Sequence, residues 1–287
     1  MVRACRGRLP GSTKIIAAVA AVGLAAIAVQ VQARSASPLT GIEQAPICRG
    51  FNGRIGRSPG LLVQARDIAR DDVQLAQSAD DIEDNLDIFE KLGLLEGHLI
   101  VGMALMDAGM AKDALPHFGH PVKEIYEYLE PVLKARHVPD FKADLIALEA
   151  KATATPRDPR LAEAYAGVLR KVEALRATIP PQMMKSRAFV VRAIALMMKD
   201  AADDLGEAIE KGRIANIVEY HDALGFARYT AAMVQAKKAV LGSSAAPIAT
   251  ELRLVMAAFP SLNPPQRPAR SMADLEAASE RVKALAK

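Results

Sequence analysis

The histidines of this 287-residue chain are clustered, because three of the five fall between residues 98 and 120. His117 and His120 are three residues apart, and His120 and Glu124 are four apart near the predicted start of a helix, where they share one face. Imidazole and carboxylate groups together suit iron, zinc or copper. We therefore predict a transition-metal site, with iron preferred, formed by His117, His120 and Glu124. His98 joins it if the chain between these segments folds back.

The predicted helix start also favours metal binding by His120. The positive end of a helix dipole disfavours an imidazolium ion, so a histidine at the N-cap keeps the neutral form that coordinates a metal. Glu124 then supplies the negative charge that retains a cation. This pattern is less restrictive than the metalloprotease pattern His-Glu-x-x-His, which the sequence lacks.

A purely structural role fits the same histidines. His117 and His120 can cap or hold a turn whose shape Pro116 and Pro121 fix, while His98 lies at a helix interface without a ligand. The sequence alone leaves both interpretations open.

A second polar segment, Gly212–Ala223, poses a similar choice. Either Glu219 or Asp222 completes the histidine site, or the segment is the polar first turn of a helix at the surface. No Gly-x-Ser-x-Gly elbow, phosphate-binding loop or dinucleotide fingerprint is present. A binding protein is therefore expected in preference to an enzyme.

The elements that must position these residues are helices, because no stretch alternates as a half-buried strand does. We predict an all-α fold of about 7–9 helices, either an antiparallel bundle or stacked helical hairpins, over residues 61–287. Residues 111–118 are predicted as a short helical turn or a connection. The predicted helices comprise a long one closing near Gly109, followed by 121–136, 139–154, 158–178, 182–211, 216–241, 246–258 and a C-terminal brace helix at 272–286.

The N-terminus has the order of a secretory signal peptide over residues 1–33. Four basic residues precede Ile15–Val29, an apolar run shorter than the roughly 20 residues that span a membrane. Residues 34–60, rich in proline and glycine, are predicted as an extended lead-in. We expect export to the periplasm without stable membrane insertion after cleavage, and the mature chain then keeps only Cys48 and forms no internal disulfide.

The charge of the chain excludes one class of partner. The formal net charge is +4, and the four basic residues of the predicted signal peptide account for all of it. A neutral mature domain has no electrostatic footprint for nucleic acid.

In compartment, helical architecture and ligand type, the chain resembles the imelysin-like periplasmic proteins of bacterial iron uptake. Those proteins carry a Gly-x-His-x-x-Glu motif. Here Gly97-His98 lacks the intervening residue, and Gly119-His120 reaches Glu124 one residue late. The resemblance implies a periplasmic helical protein that takes part in iron uptake.

These observations predict an exported helical protein that binds a transition-metal ion for sequestration or transfer. The alternative is a metal-free helical interaction module that serves a protein complex of the cell envelope. Such a module needs an exposed apolar patch, whereas a metal site needs its histidines and carboxylate to converge.

Overall fold

The computed structural model describes residues 79–156 and 158–287. The predicted signal peptide, the lead-in and residues 61–78 lie outside the described residues. Nine helices of ten or more residues occupy the described part, together with one two-stranded hairpin, so the predicted all-α fold class is confirmed. The helices are α1 (Ala79–Asp107), α2 (Ala111–His120), α3 (Tyr126–Ala135), α4 (Lys142–Ala154), α5 (Arg160–Arg176), α6 (Pro181–Lys185), α7 (Arg187–Glu207), α8 (Ile217–Ala236), α9 (Lys238–Leu241), α10 (Ala245–Met256) and α11 (Met272–Ala284).

The C-terminal half is built on four helices that each contact two of the others: α7 packs against α8 and α11, and α10 packs against the same two. Alanines occupy buried positions in α7, α8 and α11, which lets the helix axes approach closely. Helix α11 begins with a capping box between Ser271 and Asp274, and the hydroxyl of its Ser279 donates to the Ala195 carbonyl of α7 at 2.8 Å.

The long helix α1 joins this four-helix unit to the N-terminal helices. It packs against α7 and α8 on one side and against α2 and α5 on another. The guanidinium of Arg176, at the end of α5, pairs with Glu96 of α1 and lies over the ring of Phe89. Since α1 contacts both halves, side chains near its middle can meet residues from either one.

Helix α2 folds back along α1 through a tight turn in which Gly109 has a φ of 77°. The chain then passes directly into a π-helical turn, Pro121–Ile125, where the N–H of Tyr126 bonds to the carbonyl of Pro121, and on into α3. The predicted short helical turn or connection at 111–118 is helical, but it is a full helix of ten residues, so the alternative of a connection was wrong. The helix continues through Pro116 and past Pro121, and a π-turn accommodates the change in its hydrogen bonding.

The predicted helix 182–211 is also divided. Ser186 caps a new helix by accepting a hydrogen bond from the N–H of Phe189, and α7 ends at Glu207. Two short antiparallel strands, β1 (Ile209–Glu210) and β2 (Arg213–Ile214), follow and pair Ile209 with Ile214. Their turn residues, Lys211 and Gly212, both have positive φ, as a two-residue hairpin turn requires.

This hairpin fixes the start of α8. The backbone N–H groups of Ala215 and Asn216 both donate to the carbonyl of Ala208, and the side chain of Asn216 caps the helix by accepting from Val218. The position of every residue in the first turns of α8 is thereby set relative to the end of α7.

Within the described residues, no helix is both long enough and apolar enough to cross a membrane.

Candidate metal centre

Asp222 lies in the second turn of α8 and is only 1% exposed. Its neighbours on the helix are mostly apolar, and α8 is buried on nearly all sides because α1, α7 and α10 pack around it. A carboxylate buried in this way needs partners that compensate for the loss of water. The interpretation of this segment as a polar surface turn was therefore wrong for Asp222.

The partners of Asp222 are three imidazole rings. The Nδ1 atoms of His98 and His117 lie 2.5 Å and 2.7 Å from its Oδ1 atom, and the Nδ1 atom of His120 lies 3.0 Å from its Oδ2 atom. An ionised carboxylate only accepts hydrogen bonds, so each Nδ1 carries the proton and donates it. One carboxylate thus holds three histidines from two helices.

The approach of α1 and α8 brings His98 to Asp222. A Cβ atom on Gly225 would overlap the backbone carbonyl of Gly97, and one on Gly97 would overlap the ring of Phe226. Only glycine allows the two helices to come this close. The His98 ring then packs edge-on against Phe226, with centroids 5.0 Å apart, and points its Nδ1 atom at the carboxylate.

Helix α2 brings the other two histidines. His117 and His120 both lie on the last turn of α2, three residues apart and on one face of the helix. Gly102 of α1 faces Phe118 and the Cβ atom of His117, which lets α2 lie close to α1. The sequence left open whether His98 reaches the other two histidines. The reversal of the chain at Gly109 brings His98 to the same site as His117 and His120.

Glu124 lies at the mouth of this cluster. Its side chain is 51% exposed, and its two carboxylate oxygens lie 3.6 Å from His120 Nδ1 and 3.7 Å from His98 Nε2. These distances exceed a hydrogen bond. Glu124 is thus next to the cluster and adds negative charge, but it is not one of the groups that converge.

Electrostatics hold Asp222 in the ionised form. Burial alone disfavours the charge, but the hydrogen bonds from His117, His120 and His98 outweigh it and hold the pKa of Asp222 well below its usual range. A permanent negative charge therefore lies at the centre of the three rings.

His120 has the opposite shift. Burial lowers its pKa, yet the hydrogen bond to Asp222 and the charges of Asp222, Glu124 and Glu219 together raise it above the ordinary value. The expectation that a helix N-terminus would favour neutral His120 was wrong, because the helix runs through His120 into the π-turn and His120 is not at a helix N-terminus. The site attracts positive charge, whether a proton or a metal ion.

Two further acids face the same region. Burial, followed by the charges of Asp222 and Glu219, raises the pKa of Asp204 to about 9, so this carboxyl group is neutral at pH 7. Burial and the charges of Asp222, Glu207 and Glu124 also raise the pKa of Glu219. The local excess of acidic groups is therefore large enough for some of them to retain protons.

The donor set has the composition of a transition-metal site. One ligand atom from each of His98, His117, His120 and Asp222 lies within 4.8 Å of the other three. Three imidazole nitrogens and one carboxylate oxygen suit iron, zinc or copper better than magnesium or calcium, which prefer oxygen ligands alone. In addition, the buried Nε2 atom of His117 has no hydrogen-bond partner among the described residues.

Sequence reasoning placed three of these four residues in one candidate site and left Asp222 as an alternative. A usable signal was present in the segment 220–227, where Asp222 is the only acid and is followed by five apolar or small residues, Ala223–Ala227. A helix that is apolar all round is buried, so an acid within it must have partners.

Residues 180–287 match the family model of the iron permease-associated 4-helix bundle domain. The matched part contains α7, α8, α10 and α11, and hence Asp222, whereas the three histidines of the cluster precede it. The match links this helical region to iron uptake, while the resemblance to imelysin-like proteins is not confirmed. No curated protein and no solved structure matches the chain.

Proposed function

We propose that this chain is an exported domain that binds a transition-metal ion, iron in the first place, through His98, His117, His120 and Asp222. The observation that carries the proposal is the convergence of three imidazole rings on one buried, ionised carboxylate. Glu124, predicted as a ligand, is instead assigned to the mouth of the site.

A merely structural role accounts less well for the cluster. A buried carboxylate with three imidazoles contributes less to the stability of the fold than apolar side chains of the same volume would. The reason is that four polar groups lose their contact with water. With neutral imidazoles the cluster also keeps a net charge of −1, and Glu124 adds a second charge nearby. A divalent cation neutralises both charges, which supports a binding role.

The family match supports iron and a permease as partner. The matched family is described as associated with an iron permease. We infer that the domain acts beside such a membrane protein and either sequesters iron or hands it over. The N-terminal sequence, with its basic residues and 15-residue apolar run Ile15–Val29, supports export and a periplasmic location.

The first test is the metal content of the protein, expressed with its N-terminal segment, purified from the periplasmic fraction and analysed by mass spectrometry. We expect one equivalent of metal in the wild type and none in Asp222→Asn. His137→Asn is the matched control, since His137 is exposed and has a φ of 55° that asparagine tolerates. It is expected to keep its metal.

Two results would contradict this proposal. Equal metal content in the wild type and in Asp222→Asn would place any metal elsewhere. Absence of metal from both proteins, with unchanged melting temperatures when Fe²⁺, Zn²⁺ or Cu²⁺ is added, would favour the metal-free interaction module. Recovery of the protein only from the cytoplasm would reject the export proposal separately.

A further inference from the structure

His221 is a buried histidine whose role the proposed metal site does not explain. It is 0% exposed, and its Nε2 atom lies 2.8 Å from the backbone carbonyl of Leu262, to which it must donate. A neutral imidazole carries one proton, so its Nδ1 atom is left as an acceptor. Among the residues that the structure describes, this Nδ1 atom has no partner.

The neighbouring ring has the same deficiency. His117 donates from Nδ1 to Asp222, which leaves its Nε2 atom as an acceptor, and this atom is also buried without a partner in the described part of the chain. The centroids of the two rings are 5.4 Å apart, with an angle of 76° between their planes. A hydrogen bond of about 2.9 Å between ring nitrogens requires centroids roughly 5 Å apart. The two unpartnered nitrogens therefore belong to rings within reach of one another, and both lack a proton.

We propose that His221 is a positioning residue for the metal site: when an ion binds His117 through Nδ1, His117 donates its Nε2 proton to Nδ1 of His221. This inference rests on the proposed function. The ion takes the Nδ1 lone pair, and the single ring proton moves from Nδ1 to Nε2 by exchange with water, so that His117 stays neutral and no proton is gained or lost. Both unpartnered nitrogens then become satisfied.

The position of the ion on the Nδ1 side follows from the geometry. Nδ1 of His117 faces Asp222, where the nitrogens of His98 and His120 also converge. Its Nε2 atom is buried, and the centroid of the His221 ring lies 5.4 Å from that of the His117 ring. Ligating histidines usually donate their second nitrogen to a fixed acceptor, which sets the tautomer and the ring orientation.

The His221 ring is held by the segment that contains Leu262. Leu262 belongs to the segment between α10 and α11, and the hydroxyl of Tyr220 donates to the adjacent Ser261 carbonyl at 2.8 Å. The proposed line of hydrogen bonds thus runs from the ion through His117 and His221 to Leu262. Removal of such an outer partner typically weakens metal binding 10- to 100-fold.

The test uses Zn²⁺ as a diamagnetic probe on the full-length protein, with long-range ¹H–¹⁵N spectra of the histidine side chains. We expect the ring proton of His117 on Nδ1 before zinc is added and on Nε2 afterwards, with His221 protonated on Nε2 in both states. Two variants separate the functions of His221. His221→Asn keeps an acceptor near the Nδ1 position, and His221→Gln keeps only the donor to Leu262.

Titration calorimetry with Zn²⁺ should show a 10- to 100-fold loss of affinity in His221→Gln and recovery of most of it in His221→Asn. Wild-type affinity in His221→Gln, or a zinc-bound His117 that keeps its proton on Nδ1, overturns the role of His221 and leaves metal binding standing. A wild type that takes up no Zn²⁺ rejects both. The spectra of the wild type decide the question even if a variant fails to fold.

Discussion

Gly225 of α8 lies so close to Gly97 of α1 that a Cβ atom on Gly225 would overlap the Gly97 carbonyl oxygen. This contact sets the separation of the two helices at the point where the histidine–aspartate cluster lies. His98 is the next residue after Gly97, and Asp222 is three residues before Gly225. The short distance between the His98 imidazole and the Asp222 carboxylate therefore depends on two residues that have no side chain.

Gly225→Ala is expected to destabilise the protein and to separate His98 from Asp222. The new methyl group meets backbone atoms, which cannot rotate away, so we expect a loss of roughly 1–3 kcal/mol in the free energy of unfolding. Urea unfolding measures this change, and zinc affinity measured on the folded variant should fall with it.

Gly167→Ala is the matched control for this prediction. Gly167 lies inside α5, and a Cβ atom there would meet only the end of the Arg170 side chain at 3.7 Å, an ordinary contact. The higher helix propensity of alanine should stabilise this variant by up to about 1 kcal/mol. Equal effects of the two substitutions would show that the α1–α8 contact is less tight than described here.

The sequence predicted the helical class and grouped three of the four converging residues, and its main limit is a long-range packing contact. His117 and His120 share a face through helical spacing alone, which periodicity shows directly. Asp222 joins them only because α1 and α8 pack at Gly97 and Gly225, a long-range contact that no local pattern encodes. Glu124 had the helical spacing to share a face with His120, but it lies in the π-turn Pro121–Ile125 with its side chain half exposed and 3.6 Å from His120 Nδ1.

Glu124→Gln is expected to weaken metal binding only modestly. Its carboxylate is half exposed, so water weakens its attraction for a bound ion. The loss of binding free energy should be about 1 kcal/mol, or roughly fivefold in affinity. Asp222→Asn removes the buried carboxylate that we propose as a ligand and should lower the affinity roughly 100-fold or more. Zinc titrations of the two variants give the comparison.

Glu127→Gln serves as the control for charge alone, because Glu127 is exposed on α3 and forms no part of the cluster. We expect wild-type affinity there. A larger loss in Glu124→Gln than in Asp222→Asn would restore Glu124 as a direct ligand and remove Asp222 from that role.

Zinc is expected to raise the melting temperature of the wild type and leave that of Asp222→Asn unchanged. An ion that binds only the folded state at 100 times its dissociation constant adds about 2.7 kcal/mol of stability. For a domain of this size the gain corresponds to roughly 5–10 °C. Thermal unfolding followed by circular dichroism at several zinc concentrations measures the shift, and a chelator should reverse it.

Asp200→Asn is expected to stabilise the protein increasingly as the pH rises from about 4 to about 8. Burial and the charge of Glu90 raise the pKa of Asp200 to about 8, whereas an unfolded aspartate titrates near 3.9. Over this range the folded chain keeps a proton that the unfolded chain releases, so the free energy of unfolding of the wild type falls with pH. Asparagine removes that dependence.

The gain at pH 8 relative to the wild type should be at least about 1.4 kcal/mol, the equivalent of one pKa unit. Asp203→Asn is the control, since Asp203 forms an exposed ion pair with Lys199 and should change stability by only a few tenths of a kcal/mol. Denaturant unfolding at pH 5 and pH 8 gives the comparison. A difference between Asp200→Asn and the wild type that does not change with pH would contradict the assignment of the buried proton.

Asp222 follows its three imidazole partners by 124, 105 and 102 residues along the chain. During synthesis, the first three donors therefore emerge long before the fourth, and the full set exists only after α8 has docked against α1 and α2. A chain that crosses a membrane unfolded carries no ion with it. Under the proposed export and metal binding, the metal pool at the place of folding, rather than the pool at the ribosome, then determines which ion the protein acquires.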